Sequence, residues 1–304
     1  DRSAMSFDVP SLGLGSLPAA PSGWAGGEWS FSMRPLVRFV QHLERLEESL
    51  RQSPRPFHLA VVGGGASGCE LALAMQRRFV KSAGFQQTLL QANRRLLPTF
   101  PDRAGHLMDE KLQAAGIDVR LETCVVGGDA GRLRLASGEE LACDGVLWAT
   151  PAAPPEFLRT SGLSVDDNGF LLIRESLQSL SHPAVFGTGD CVTFLPQPTL
   201  PRNGVHAVRQ GRVLFDNVRE LLHERTLAPF RPQRNCLCLM NTSDGQAILS
   251  YGSFATKGRL VRRWKERIDR AWLESFDSAD MLRRLWSEGQ RRRAVVRNLP
   301  VENS

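Results

Sequence analysis

The segment Val61-Val62-Gly63-Gly64-Gly65-Ala66-Ser67-Gly68-Cys69-Glu70 carries glycines 63, 65 and 68 in a G-x-G-x-x-G spacing. Each glycine answers a physical demand. The first permits a tight strand-to-helix turn, the second lets a diphosphate approach bare backbone, and the third lets the helix pack closely on the strand. The N–H groups at the helix start and the helix dipole then favour phosphate. Alone the spacing is a weak signal. Here an apolar run, FHLAVV (57–62), precedes it, an amphipathic stretch follows, and a second apolar run, QQTLLQ (86–91), comes next. That is the context of a dinucleotide-binding βαβ unit, with Gly63, Gly64, Gly65, Ala66, Ser67 and Gly68 as candidate contacts. A glycine-rich turn without a ligand is the competing reading.

A second position bears on which dinucleotide. An acidic residue at the end of the second strand holds the ribose 2′-hydroxyl of NAD. Gln91 stands there, followed by Asn93, Arg94 and Arg95. The missing carboxylate removes repulsion against a 2′-phosphate, and the two arginines are placed to pair with one, which tilts the site toward NADPH. Solvated loop charges are the alternative reading of Arg94 and Arg95. Further on, His182-Pro183-Ala184-Val185-Phe186-Gly187-Thr188-Gly189-Asp190-Cys191 runs a strand into Thr-Gly-Asp. Its glycines let a flavin chain lie against the backbone, and its aspartate can accept hydrogen bonds from ribityl hydroxyls. An isolated Gly-Asp turn is the bland alternative.

The elements that must position these residues follow from periodicity. Residues 11–30, rich in Gly, Ser and Pro, read as loop. Leu36, Phe39, Val40, Leu43, Leu46 and Leu50 share one face of a helix that SPRP (53–56) ends. After the first strand, Leu71, Met75 and Phe79 mark a helix closed by Gly84. A helix over 103–116, a strand over 117–126, two short strands about Ser137-Gly138 and a buried strand at 145–149 complete the unit. Pro151 to Leu158 marks a boundary. Short strands at GFLLI and PAVFG precede a helix over 204–223. The remaining chain alternates in NCLCLMN and QAILSYG and turns helical near Arg262.

At 304 residues the chain has room for about two domains. Hydrophobic residues at 42% and charged residues at 23% exclude disordered and fibrous classes. The net charge of +6 comes from Lys257–Ser304, where 13 basic residues face 7 acidic ones; the first 256 residues are neutral, so nucleic-acid binding by the body is not implied. The six cysteines include no C-x-x-C pair, which argues against structural zinc and a dithiol, and their spread suggests reduced, mostly buried thiols in an intracellular compartment. Cys236 and Cys238 would share one side of a strand as core thiols. No metal site is expected, and His58 and His106 read as structural. No apolar run reaches spanning length, and residues 1–8 lack the apolar core of a signal peptide.

With these motifs in order, the chain resembles the FAD-dependent pyridine-nucleotide oxidoreductases of the type II NADH dehydrogenase kind, and more closely the dehydrogenase-like module fused ahead of selenide, water dikinase. The matching segments are VVGGGASGCELALAMQ, RRLLPTF, LWATPAAP, GFLLIRESLQSLSHPAVFGTGDC, GVHAVRQG, PFRPQRNCLCLMNTSDGQAILSYG and RRWKERIDRAWLESF. The resemblance implies an α/β fold in which a Rossmann-like NAD(P)H-binding domain (36–150) is inserted in a partial FAD-binding domain (1–35 and 151–228). A small α+β C-terminal region (229–304) follows. It implies that Gly189 and Asp190 touch the flavin, that the helix from Gly204 through Val208 to Gln210 lies beside it, that Glu70 lies near the nicotinamide-side ribose, and that Gln91, Arg94 and Thr150 belong to the coenzyme site. Arg202-Asn203 replaces the family's usual lysine. SFDVPSLG (6–13) looks like the last strand of a flavin-binding half, and an N-terminally truncated chain is expected. The disulfide-reductase subtype is disfavoured for want of C-x-x-C.

The implied function is an FAD-dependent NAD(P)H dehydrogenase that passes electrons to a small-molecule acceptor, with a quinone in view. The mechanism requires stacking of two rings and no general acid or base. The alternative is a non-catalytic nucleotide-binding module, a regulatory partner of a selenide, water dikinase. Trp264, Ile268, Trp272, Leu273 and Phe276 recur at helical spacing among arginines and lysines, with Leu282, Leu285 and Trp286 beyond. That pattern suits a peripheral membrane contact of a cytoplasmic protein, or a helix packing its aromatic face on the FAD domain.

Overall fold

A computed structural model describes residues 6–274 apart from 53, 54 and 83. The segment expected as loop is threaded with short strands: β1 (Ser11–Leu12), β2 (Leu17–Pro18), β3 (Gly23–Trp24) and β4 (Ser30–Ser32). None is long enough to show an alternating pattern. Each exists because a distant strand supplies its hydrogen bonds. The first helix, α1 (Leu36–Gln52), buries Phe39, Leu46 and Leu50, but Leu36 and Val40 of the predicted stripe stay exposed. The covered part leans on β4, where the rings of Phe31 and Phe39 lie 6.1 Å apart.

The expected βαβ unit forms from β5 (Phe57–Val62), α2 (Ala66–Phe79) and β6 (Phe85–Leu90), with the strands parallel from Phe57↔Phe85 to Val62↔Leu90. Next come α3 (Asp102–Ala114) and β7 (Asp118–Arg120). The single strand expected over 117–126 breaks instead. Glu122 turns to a positive φ of 52°, its N–H donates to Asn93, and Thr123 N–H donates to Gln91. The chain then leaves as an antiparallel ribbon, β8 (Val125–Asp129), β9 (Arg132–Leu135) and β10 (Glu140–Ala142), with β3 along its edge. It returns as β11 (Gly145–Trp148). The main sheet has the order β4-β11-β5-β6-β7, parallel throughout. Both faces are covered. Leu59, Val61 and Leu89 pack with residues of α1, α2 and α3, while Ala60, Val62, Leu90, Val146 and Trp148 pack under Leu133 and Leu141 of the ribbon. Burial on two sides explains the unbroken apolar run of β5.

Beyond it, β12 (Ala152–Ala153) pairs with β2 and α4 (Phe157–Thr160) makes one turn. A second core gathers β13 (Leu171–Ile173), β14 (Phe186–Gly187) and β15 (Val192–Phe194) around Leu158, Leu177 and Phe230. The early strand β1 pairs with β14, which brings residues 11–12 beside the Thr-Gly-Asp segment. The helix α5 (Gly204–Leu222) is capped by Asn203, whose Oδ1 accepts the His206 N–H at 3.0 Å. Asn217, fully buried on α5, donates to the Ser176 and Ala228 carbonyls and accepts the Ala228 N–H.

Last come an antiparallel sheet, β16 (Cys238–Asn241), β17 (Ala247–Tyr251) and β18 (Phe254–Gly258), and the helix α6 (Arg259–Glu274). The strand β18 was not expected, and α6 begins at Arg259 rather than near Arg262. Cys236 lies outside the strand that holds Cys238, and both are half-buried. No residue of α6 is buried. Phe276, Leu282, Leu285, Trp286 and the stretch RRRAVVRNLPVENS lie outside the described residues. Among the described residues no helix is long and apolar enough to cross a membrane.

Candidate functional site

The glycine elbow sits at the carboxyl ends of β5 and β11, where the strand order of the main sheet reverses direction. In open α/β sheets that crevice is the position that takes a ligand. Gly63 has a φ of +117°, and a Cβ there would lie 2.3 Å from the Ala149 carbonyl oxygen. A Cβ on Gly68 would lie 1.8 Å from the Gly63 oxygen, and one on Gly64 would lie 2.7 Å from Leu96 Cδ2. Main-chain contacts therefore demand glycine at 63 and 68, while at 64 the Leu96 and Gln91 side chains crowd the position. Gly65 is different: its φ of −74° and ψ of 179° suit any residue, and a Cβ there would meet nothing within 4 Å. No side chain caps α2, and no acidic residue occupies its first turn. The N–H groups of Ala66, Ser67 and Gly68 open the helix with no intrahelical acceptor, pointing a partial positive charge into this space.

The flanking residues brace the elbow. Gln91 is buried; its Oε1 accepts the Gly64 N–H at 3.2 Å and its Nε2 donates to the Arg95 carbonyl at 3.2 Å. The Gly64 carbonyl accepts the Leu97 N–H at 2.9 Å. Arg95 folds back on the Pro98 carbonyl at 2.8 Å and on Asp102 at 3.3 Å. Arg94 stands out in solvent, 3.4 Å from Glu122. Thr150, just past β11, donates to the Ala19 carbonyl at 2.6 Å and borders the crevice. Glu70 ties α2 to the C-terminal sheet: its Oε1 accepts the Asn241 N–H at 2.7 Å. Burial pushes its carboxyl above the usual range, opposed by that N–H and by Lys265.

A second centre forms where β14 ends. Gly189, with a φ of +76°, donates its N–H to Oε1 of the buried Gln210 at 2.7 Å. Gln210 thus braces this turn from within the protein. Asp190 Oδ2 lies 3.1 Å from Arg34 Nη1, which also donates to the Ser16 carbonyl at 3.1 Å. These groups border an open cleft of about 1530 Å³, lined also by Gly13, Leu14, Val208 and Phe215 and, from α6, by Trp272. Along α5, Gly204, Ala207, Val208 and Gly211 present a flat wall to it. Arg202 does not point into this cleft as a lysine substitute; it lies 3.5 Å over the Phe170 ring and donates to Thr193 at 2.8 Å.

Of the histidines weighed from sequence, His58 is held within the fold, its Nδ1 2.8 Å from the Ala142 carbonyl and its Nε2 2.9 Å from Thr88, while His106 is exposed on α3. No metal-binding cluster occurs among the described residues. Sequence reasoning missed Arg34, which meets Asp190 from 156 positions away and carries no local signal.

Residues 13–211 match the description of the pyridine nucleotide-disulphide oxidoreductases. The chain is 23% identical over 220 residues to the type II NADH:quinone oxidoreductase of Haemophilus influenzae, covering 68% of this chain and 47% of that protein. NDH2 from Plasmodium falciparum, solved in complex with NADH, has the same fold, with a TM-score of 0.75 at 13% identity over 87% of this chain and 74% of that one. The sulfide:quinone oxidoreductase of Aquifex aeolicus gives 0.71 at 14% identity over 88% of this chain and 69% of that one. The chain spans about half or less of the length of several curated relatives: 47% of the Haemophilus protein and 34% of the internal alternative NAD(P)H-ubiquinone oxidoreductase A1 of Arabidopsis thaliana. A match over most of the chain, together with the shared fold, shows that the protein belongs to the pyridine nucleotide-disulphide oxidoreductase family.

Proposed function

We propose that the protein is a flavin-dependent NAD(P)H oxidoreductase, taking a hydride from a nicotinamide coenzyme onto FAD and handing electrons to a small-molecule acceptor of the quinone class named in its relatives. The observation that carries this reading is the bare side of Gly65. Gly63 and Gly68 are demanded by main-chain contacts and Gly64 is crowded by side chains; Gly65 is neither, and the space it leaves open faces the start of α2. A diphosphate fits there, since among the described residues nothing lies within 4 Å of a Cβ added at Gly65.

In this reading Gly63, Gly64 and Gly68 shape the elbow, and the N–H groups of Ala66, Ser67 and Gly68 bind the diphosphate beside Gly65. Thr150 closes the crevice on the β11 side. Glu70 has Oε1 committed to Asn241, so a ribose contact falls to Oε2. The second centre fits a flavin: Gly189 and Asp190 offer a side-chain-free approach and a carboxylate at one end of a roomy cleft, with Val208 on its wall and Gln210 holding the turn in place. Arg34 balances the Asp190 charge. Nicotinamide and flavin, when bound, supply the hydride donor and acceptor themselves, and the residues here orient and exclude water rather than move protons.

The division at 35/36, 150/151 and 228/229 belongs to this proposal, as does a cytoplasmic location. So does peripheral membrane contact through the exposed Trp264, Ile268 and Leu273 of α6, supported by their amphipathic spacing among basic residues. An associated selenide, water dikinase remains an implication of the resemblance alone. The test is anaerobic mixing of the FAD-loaded chain with NAD(P)H. Bleaching of the visible flavin band is expected, and it should vanish in Gly65→Val while flavin stays bound. Bleaching that survives Gly65→Val refutes the assignment.

A further inference from the structure

We propose that the coenzyme taken by the elbow is the 2′-phosphorylated one, NADPH, with Arg94 as the ligand of its phosphate. The inference rests on the dinucleotide reading of the elbow. In that geometry the end of β6 reads the adenosine ribose, where a carboxylate would accept the 2′-hydroxyl of NADH and repel a phosphate. Gln91 carries no charge there, and its amide is committed inward. Oε1 holds the Gly64 N–H and Nε2 holds the Arg95 carbonyl, both at 3.2 Å, with the side chain buried. Swinging it out to a hydroxyl would strip two hydrogen bonds from the elbow itself. The end of β6 thus has neither the acceptor that selects NADH nor the charge that rejects NADPH.

The two arginines differ. Arg95 is locked on Pro98 and Asp102. Arg94 is 91% exposed, and its guanidinium meets only the edge of Glu122 at 3.4 Å, across a pair that is itself 68% exposed on the acidic side. An exposed pair of that kind is worth little. A phosphate, with more negative charge and three acceptor oxygens, competes well for the guanidinium fork. Among the described residues Glu122 is the acidic group paired with Arg94 and opposes it, while Asp118 is held by Arg120 at 3.0 Å.

Titration of the chain with NADPH and with NADH, followed by coenzyme fluorescence, tests this. NADPH should bind tighter by about tenfold, the low end for a hydrogen bond to a charged group because Arg94 is exposed. Added salt should narrow the gap. Arg94→Ala should weaken NADPH about tenfold and leave NADH unchanged, and Glu122→Gln should strengthen NADPH. NADH binding as tight as NADPH, or a preference that survives Arg94→Ala, overturns the inference alone. Binding of neither coenzyme removes the elbow reading and this inference with it.

Discussion

Two alanine substitutions three residues apart should have opposite consequences. At Gly68 the new methyl carbon would lie 1.8 Å from the Gly63 oxygen and 3.0 Å from its carbon, both main-chain atoms. Ordinary contact begins at 3.4 Å, so the elbow must open by about 1.5 Å in a close-packed interior. Overpacking of that kind costs about 3 kcal/mol or more. At about 2–4 °C per kcal/mol, the melting temperature should fall by roughly 6–12 °C. At Gly65 the same methyl meets nothing. Alanine is a poorer N-cap than glycine by up to about 1 kcal/mol, while the stiffer unfolded chain returns about 0.4–1 kcal/mol, so the net change is close to zero. That methyl does, however, enter the space in front of the α2 N–H groups, and coenzyme affinity should drop at least about tenfold, or ~1.4 kcal/mol. Circular dichroism melts and coenzyme fluorescence titrations on both variants separate the effects. If Gly65→Ala melts with Gly68→Ala, or binds coenzyme like the wild type, the reasoning fails.

Two other outcomes follow from buried groups. Burial raises the Glu70 carboxyl, so the folded protein keeps that proton to higher pH than the unfolded chain does. Its contribution is fully present below the ordinary glutamate value and is lost as pH rises through the raised one. Glu70→Gln, which can still accept the Asn241 N–H, should therefore gain in melting temperature relative to wild type as pH rises above the ordinary glutamate value; a relative loss on that rise contradicts the burial argument. The thiols of Cys69, Cys143 and Cys238 are pushed up to about 12, about 11 and about 11, chiefly by burial. A thiol reagent at mildly alkaline pH should modify the exposed Cys124 first and leave the buried Cys69 and Cys143 unlabelled until denaturant is added, as peptide mass mapping would show.

The parts of the fold visible in the sequence are those whose cause is local. FHLAVV followed by three glycines, the helix over 204–223, and the Ser137-Gly138 turn each carry their explanation within a few residues. The parts that were hidden depend on distant partners. Ser30–Ser32 is a strand only because Val146–Trp148 lies alongside, and Phe254–Gly258 because Ala247–Tyr251 does. The break after β7 arises from bonds that Asn93 and Gln91 offer to Glu122 and Thr123, which no periodicity reveals. At the site, the glycine spacing announced a turn, but only the surroundings separate glycines required by packing from the one that leaves space. Gln91 and Gln210 were expected to face cofactors; the structure commits the amide of Gln91 and the Oε1 of Gln210 to holding the turns.

The parallel bridge of Ser11 and Leu12 to Phe186 and Gly187 has a consequence for how the protein comes into being. These partners are separated by about 175 positions, and closing such a loop in an open chain is entropically slow. The nucleotide unit, built from neighbouring βαβ pieces, forms without waiting for them and shortens the effective distance between the two ends. During translation the early segment therefore emerges long before its mate is synthesised, and its unpaired edge must be kept from wrong pairing until residues 186–187 leave the ribosome. The Thr-Gly-Asp turn, whose Thr188 N–H donates to the Leu12 carbonyl, is consequently completed only once that bridge has formed.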